Sequence, residues 1–165
     1  MWPSKNVVVF IDNHDNQRGH GINSPLTYKD DNLYTMAVTY MLAWLYGYPR
    51  VMSSYYFNDS DVGPPADENG IPTSPYFRID NSCHPRSGWG QLIFDIKTDS
   101  SRIAFHRGNK GFFALNNSGN QTWSGTFSTG LPQGIYCDII SGESTTSGCS
   151  GISVTVGTDG LAQVS

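Results

Sequence analysis

The apolar run Val7-Val8-Val9-Phe10-Ile11 breaks directly into Asp12-Asn13-His14-Asp15-Asn16-Gln17-Arg18, and that junction constrains the fold more than any other part of the chain. The run is long enough for a strand, too short for an isolated helix, and rich in β-branched residues. A helical pattern follows it. Leu33, Met36, Ala37, Tyr40, Met41, Trp44 and Leu45 recur at the i, i+3, i+4, i+7 spacing of one face. Asp30 and Asp31 place negative charge near the positive end of that helix, and Gly47 and Pro49 stop it. A second short apolar segment, Val51-Met52, comes next. Strand, loop, helix, strand predicts a parallel βαβ unit with the apolar stripe packed against the sheet. In such sheets the chemistry sits past the C-terminal ends of the strands, so the polar run at 12–18 is where a site is expected.

The rest of the chain reads differently. Residues 58–100 are rich in Asn, Asp, Gly, Pro and Ser and hold no sustained period, which predicts loop. A structureless loop beyond ~12–15 residues is uncommon in a compact domain. From Arg102 onward short apolar segments alternate with turns, and the candidates are 102–107, 111–116, 121–127, 134–139, 152–156 and 161–164. Asn116-Asn117-Ser118-Gly119-Asn120 and Ser141-Gly142 supply the turn chemistry. That spacing predicts an antiparallel β-sandwich with Greek-key connections. The fold class is therefore α/β followed by all-β, divided into residues 1–100 and residues 101–165.

Composition narrows the function classes. The net charge is −4, so nothing suggests a surface for nucleic acid phosphates. No apolar run approaches the ~20 residues of a membrane span. The start, Met1-Trp2-Pro3-Ser4-Lys5, leads into an apolar run shorter than the roughly 7–15 residues of a signal-peptide core. Aromatics make up 13% of the chain against 15% charged residues. Sugar clefts favour aromatics because pyranose faces stack on them, though core filling accounts for the same excess. Asn58-Asp59-Ser60, Asn116-Asn117-Ser118 and Asn120-Gln121-Thr122 match the N-glycosylation acceptor pattern, a slight lean towards secretion. Cys137 and Cys149 flank a Ser/Gly/Thr-rich loop that suits a hairpin closed by a disulfide, while Cys83 has no partner in the pattern.

Phe10-Ile11-Asp12-Asn13-His14-Asp15-Asn16-Gln17-Arg18-Gly19-His20-Gly21 resembles the seventh-strand motif of animal-type α-amylases. Further blocks match in the same order. Tyr48-Pro49-Arg50-Val51-Met52-Ser53-Ser54-Tyr55 resembles the family's eighth strand, and Val62-Gly63-Pro64-Pro65 the loop beyond it. Phe105-His106-Arg107-Gly108-Asn109-Lys110-Gly111-Phe112 and the segment from Thr129 to Asp138 resemble strands of its C-terminal β-domain. The resemblance implies the last strands and helix of a (β/α)8 TIM barrel joined to that β-domain, and it supports a Cys137–Cys149 bridge. It also implies a secreted, monomeric hydrolase acting on α-1,4-glucans such as starch, glycogen and maltooligosaccharides.

Glycoside hydrolysis uses a pair of carboxyl groups about the scissile bond and an oxocarbenium-like transition state. Asp15 matches the family's third catalytic acid, which binds sugar hydroxyls and helps hold the proton donor's raised pKa by like-charge repulsion. His14 matches a histidine that hydrogen-bonds substrate hydroxyls, and His20 one on a mobile loop over the cleft. Asp12, at a strand end, stands between a structural role and support of the site. An arginine opening a buried barrel strand needs a counter-charge, since an unpaired buried charge costs several kcal/mol. In the chloride-dependent branch an anion answers that need, and Asn13 and Arg50 match two of its ligands; a carboxylate partner for Arg50 is the alternative. Calcium belongs to the family through segments that find no match here. Asp-x-His-Asp is a poor zinc spacing, so no metal is assigned to Asp12, His14, Asp15 and His20.

The departures matter as well. The segments that carry the family's nucleophilic aspartate and acid glutamate find no match. Near Gly88-Trp89-Gly90-Gln91 the resemblance jumps over the final barrel helix, and Ile22-Asn23-Ser24 replaces the usual small residues of the mobile loop. The expectation is a C-terminal fragment of an α-amylase, inactive alone because it holds one acid of three. A non-catalytic α-glucan-binding or amylase-interacting module is the reading from a different class, and a truncated product without function is a third.

Overall fold

The computed structural model describes residues 1–20, 25–52, 55–73, 93–119 and 121–165. The loop segment 21–24, part of the expected second strand at 53–54, Cys83, the 88–91 jump and the Asn120 acceptor lie outside the described residues. The chain forms two compact units, Met1–Pro85 and Arg86–Ser165.

In the first unit, β1 (Val8–Val9) pairs in parallel with β2 (Tyr48–Pro49), in the register Val8↔Tyr48 and Val9↔Pro49. The backbone bonds Tyr48 N–H to Val7 O (2.7 Å) and Arg50 N–H to Val9 O (2.8 Å) close the ladder. The expected strand shrinks from 7–11 to two residues, because its recorded partner is equally short and Pro49 has no N–H to extend the pairing. The second strand also begins earlier than the apolar pair Val51-Met52 indicates, which follow β2 rather than form it. Gly47 precedes β2 with φ +77°, and a Cβ there would sit 2.6 Å from Val9 Cγ1, so a larger residue would push the strands apart.

Between the strands runs α1 (Asp31–Ala43), led by a 3-10 turn, Tyr28–Asp30. Thr27 caps the turn: its hydroxyl accepts from Lys29 N–H at 3.2 Å while Asp30 Oδ2 accepts from Thr27 N–H at 2.8 Å. The helix face is less buried than its periodicity suggests. Met41 is buried and Tyr40 stacks on Trp44 at 5.4 Å, but Leu33 remains 47% exposed. Among the described residues, two strands of two residues each offer too little sheet to cover the apolar stripe of a 13-residue helix.

The second unit is all-β. A three-stranded antiparallel sheet has the order β3 (Ile93–Thr98), β4 (Arg102–Arg107), β5 (Phe112–Asn116). A four-stranded antiparallel sheet joins β6 (Gly125–Ser128), β7 (Gly134–Cys137), β10 (Ser153–Val156) and β11 (Leu161–Val164) in the order β6-β11-β10-β7. A small hairpin of β8 (Ser144–Thr145) and β9 (Gly148–Cys149) fills the loop between β7 and β10. Six expected strands appear within a few residues of their places. β3 corrects the reading of 58–100 as loop. Its alternation is broken by a bulge between Phe94 and Lys97, with Asp95 at φ 50°, so no period-2 pattern shows in the sequence.

The two sheets meet through aromatic rings. Phe112 of β5 lies 5.7 Å from Phe127 of β6, and Trp123 meets Phe127 edge-on at 5.0 Å. Phe105, fully buried on β4, stacks on Phe113 at 5.0 Å, and Ala104, Val156 and Ala162 complete the described core. Cys137 and Cys149 are bonded, with Cα atoms 5.4 Å apart, which ties β7 to β9.

Candidate functional site

The polar run past β1 folds into a tight, internally bonded loop. Asn13 begins it: its side-chain oxygen accepts from Asp15 N–H (3.0 Å) and Asn16 N–H (2.9 Å), while Asn13 N–H donates to Asn16 Oδ1 at 2.7 Å. A short 3-10 turn, Asn16–Arg18, follows and ends at Gly19 in the left-handed region. Asp15 O accepts from Arg18 N–H and from His20 N–H at 3.1 and 3.0 Å, so backbone bonds, rather than side chains, bring His20 back beside Asp15. His14 and Asp15 project outward with side chains 80% and 66% exposed, Nε2 and Oδ1 3.4 Å apart.

Beneath the loop Asp12 is buried and fully used. Gln17 Nε2 donates to Asp12 Oδ2 at 2.7 Å and the Tyr34 hydroxyl donates to Asp12 Oδ1 at 3.0 Å. Burial, then the hydrogen bond to Asp12, then its charge raise the Tyr34 phenol to about 12. Asp12 thus joins the loop to α1.

Arg18 fastens the other side. Its guanidinium donates to the carbonyls of Ser60 and Val62 (3.0 Å to Val62) and to the Tyr55 hydroxyl. It also lies over the rings of Phe57 and Tyr55, with Cζ at 4.6 and 5.4 Å. Lys29 approaches the same Phe57 ring at 4.5 Å, and the Tyr28 hydroxyl bridges Phe57 N–H and O at 2.9 and 2.8 Å. Sequence reasoning did not single out Arg18. The available signal was an arginine closing a polar loop within reach of a Tyr-Tyr-Phe segment.

Asp15, His14 and His20 are therefore gathered on one loop, and Asn13 shapes it. Among the described residues, no contact brings Arg50 to them. It is exposed at the end of β2, its guanidinium 5.7 Å from the Tyr48 ring, and among the described residues it forms no ion pair. The carboxylate alternative for Arg50 likewise finds no partner among the described residues. No cluster of three His, Cys, Asp or Glu side chains with metal-binding geometry occurs among the described residues.

Residues 96–165 match the family model for the α-amylase C-terminal all-β domain, the region of β3's end through β11. The chain belongs to the α-amylase family through this domain. Similarity extends over the loop at 12–20 as well. The α-amylase of Tenebrio molitor is 43% identical over 96% of the chain and 37% of that protein, and human α-amylase 1B is 42% identical over 100% of the chain and 38% of that protein. Wild-type α-amylase I of Eisenia fetida superposes with a TM-score of 0.78 at 34% identity, over 95% of the chain and 38% of that structure. The chain thus spans less than two-fifths of the length of the relatives it matches.

Proposed function

We propose that this chain carries the substrate-facing loop of an α-amylase together with its β-domain, and that its loop serves the endo-hydrolysis of α-1,4-glucosidic bonds with retention at the anomeric carbon. The observation that carries this reading is the His14–Asp15 pair. Two side chains able to hydrogen-bond sugar hydroxyls stand exposed and 3.4 Å apart on a loop whose backbone is fixed from both sides. A crystal structure of an Eisenia fetida α-amylase I mutant with maltohexaose, similar to this chain at 34% identity, supports a linear glucan as the ligand class. In this reading Asp15 accepts from sugar hydroxyls and its charge keeps the proton donor's carboxyl protonated, His14 bonds neighbouring hydroxyls, and His20 closes over the chain.

The parallel register of β1 and β2 about α1 supports assignment of the first unit to the end of a (β/α)8 barrel. The strand order β6-β11-β10-β7, in which the first strand lies beside the last, supports a Greek-key sandwich for the second. Secretion follows from the same reading and agrees with the Cys137–Cys149 bridge. No helix among the described residues is long and apolar enough to cross a membrane.

Chloride is the cofactor this reading implies, and the donor chemistry fits it. The Asn13 oxygen is occupied by backbone N–H groups, which leaves its NH2 as the end an anion would meet, and Arg50 offers a guanidinium without a recorded carboxylate partner among the described residues. Asn13 and Arg50 would hold the ion, whose charge would tune the acids of the site.

Hydrolysis needs a nucleophile and a proton donor besides Asp15, and the chain by itself is expected to bind maltoheptaose without turning it over. Calorimetry and reducing-end release on the purified chain test this. Binding lost in Asp15→Asn and His14→Ala supports the reading. Turnover abolished by Asp15→Asn would overturn the inactivity of the chain, and binding unaffected by both substitutions would instead favour a glucan-binding surface on the β-domain.

A further inference from the structure

The fold treats two of the N-glycosylation acceptor triplets in opposite ways. Around the first, Phe57 is buried while its neighbours Tyr56 and Asn58 stand exposed. The backbone on either side of Asn58 is held. The Tyr28 hydroxyl bridges Phe57 N–H and O, and the Ser60 carbonyl accepts from Arg18. Asp59 turns the chain, its carbonyl accepting from Val62 N–H at 3.2 Å and its Oδ1 from Asp61 N–H at 2.9 Å. Among the described residues, no hydrogen bond engages the Asn58 amide. That amide reaches solvent from a loop fixed around it, as a bulky glycan requires.

Asn116 is the contrary case. It ends β5 half-buried, its Nδ2 donating to Gln121 O at 2.6 Å. Its Oδ1 accepts from Ser118 N–H at 3.0 Å and from the Ser118 hydroxyl. Arg102 closes over the same turn, 3.4 Å from Ser118 Oγ and 3.3 Å from Gln121 Oε1. A sugar on Asn116 would have to enter that closed turn.

Tyr56 points to the same ligand as Asn58. It is 89% exposed and lies two residues before the acceptor. Tyr28 meets it edge-on at 5.2 Å and 85°, a contact that steadies the ring without covering it. The apolar face of a pyranose on Asn58 would take that aromatic surface out of water.

We infer that Asn58 is an N-glycan acceptor whose first sugar stacks on Tyr56, and that Asn116 stays unmodified in the folded chain. Asn58 meets the glycan donor only if the chain is secreted, as in the function proposed above. The donor class is an oligosaccharide linked through pyrophosphate to a lipid. Asn58 Nδ2 attacks its anomeric carbon, so that a C–N bond forms and the C–O bond to the pyrophosphate breaks. One amide proton is lost, and the lipid pyrophosphate leaves with the electron pair. The Ser60 hydroxyl completes the acceptor triplet.

The test uses the full chain, directed into the secretory pathway of a eukaryotic host by an added, cleavable signal sequence. The fraction with the Cys137–Cys149 bridge closed is treated with peptide N-glycosidase in water enriched in heavy oxygen, and peptide mapping locates the label. Label is expected at Asn58 and not at Asn116. Ser60→Ala should lose the label while keeping the carbonyl that Arg18 holds. With the glycan in place, hydrogen exchange at residues 57–62 should slow about threefold, the scale of an aromatic stacking contact. Tyr56→Ala should erase that difference. No label at Asn58, label at Asn116, or equal slowing in Tyr56→Ala would each overturn the inference. The added signal sequence forces entry, so these outcomes stand apart from the proposed function. Maltoheptaose binding by the same preparation tests that function separately: absent binding with Asn58 labelled would sink it and leave the acceptor in place.

Discussion

The two units are of similar length and are held together by different means. In the first, the buried apolar side chains among those described are Met41, Pro49 and Phe57, and Asp12, Gln17 and Thr27 are buried as well. Its order rests on polar fastenings: the Asp12 junction, the Arg18 clamp and the Thr27 cap. The second buries Ala104, Phe105, Phe127, Val156 and Ala162, and adds a disulfide. The lesson concerns where a site is found. The loop with exposed chemistry stands on the thinly packed unit, whose geometry is set by directional bonds, and the apolar core lies in the unit that carries the family's β-domain. Directional bonds fix a loop to a fraction of an ångström but add little net stability each, about 1 kcal/mol, whereas a buried ring contributes several.

The largest effect should come from Phe105→Ala. Its ring is fully buried and stacked on Phe113, so truncation should cost the second unit about 3–5 kcal/mol. Denaturant titration with Trp123 as reporter measures this. Met41→Ala in the first unit should cost less, because its surroundings are half-buried and can close around the gap. Equal losses at the two positions would break the comparison.

Opening the Cys137–Cys149 bridge is next. The bonded residues are 12 apart in sequence, and closing such a loop stabilises by about 3 kcal/mol in the chain-entropy model. Cys137→Ser with Cys149→Ser should lower the melting of the β-domain and free the β8–β9 hairpin first, while α1 amides keep their protection. Loss of protection in α1 to the same extent would show that the two units unfold together.

Legibility in the sequence follows the same division. β11 alternates exposed and buried residues, as a half-buried strand should, whereas β4 buries Ala104, Phe105 and His106 in succession and was readable as a short apolar segment between turns. β3 was hidden by its bulge, where Asp95 takes φ 50° and the register against β4 shifts between Phe94 and Lys97. The helix was readable from its period, but not its partial exposure, which depends on how much sheet lies beneath it. At the site, the resemblance located Asp15, His14 and His20 on one loop. It did not reveal Asp12 or Arg18 as the fastenings, since both act through residues more than twenty positions away, namely Tyr34 and the 55–62 segment. The expected pairing of Asn13 with Arg50 comes from the resemblance alone, since no contact among the described residues joins them.

Arg18→Met sharpens the comparison at the loop. Methionine keeps the contact with Phe57 but leaves the carbonyls of Ser60 and Val62 and the Tyr55 hydroxyl without a donor. The expected cost to the first unit is about 1–2 kcal/mol, since part of the segment is exposed and water replaces some of the bonds. Hydrogen exchange should speed up at residues 16–20 and 60–62 and leave β4 and β11 unchanged. Arg18→Lys should restore part of the protection, because an ammonium reaches one carbonyl but lacks the planar fork.

The smallest effect isolates the Asp12 junction. The Tyr34 phenol is held up at about 12 by burial first and by Asp12 second, so the folded state prefers the protonated ring. The sign follows directly: this contribution is intact below the ordinary tyrosine value of about 10 and is lost as pH rises from there through about 12. The first unit should therefore loosen across that window while the second, with its core apolar, responds less. In Asp12→Asn the charge is gone but burial remains, so Tyr34 should titrate lower than in the wild type and still above a solvated tyrosine. Phenolate absorbance measured on the two proteins, with Tyr34→Phe to assign the signal, separates the two causes. An unchanged titration in Asp12→Asn would assign the whole shift to burial and would remove Asp12 as the residue that couples the loop to α1.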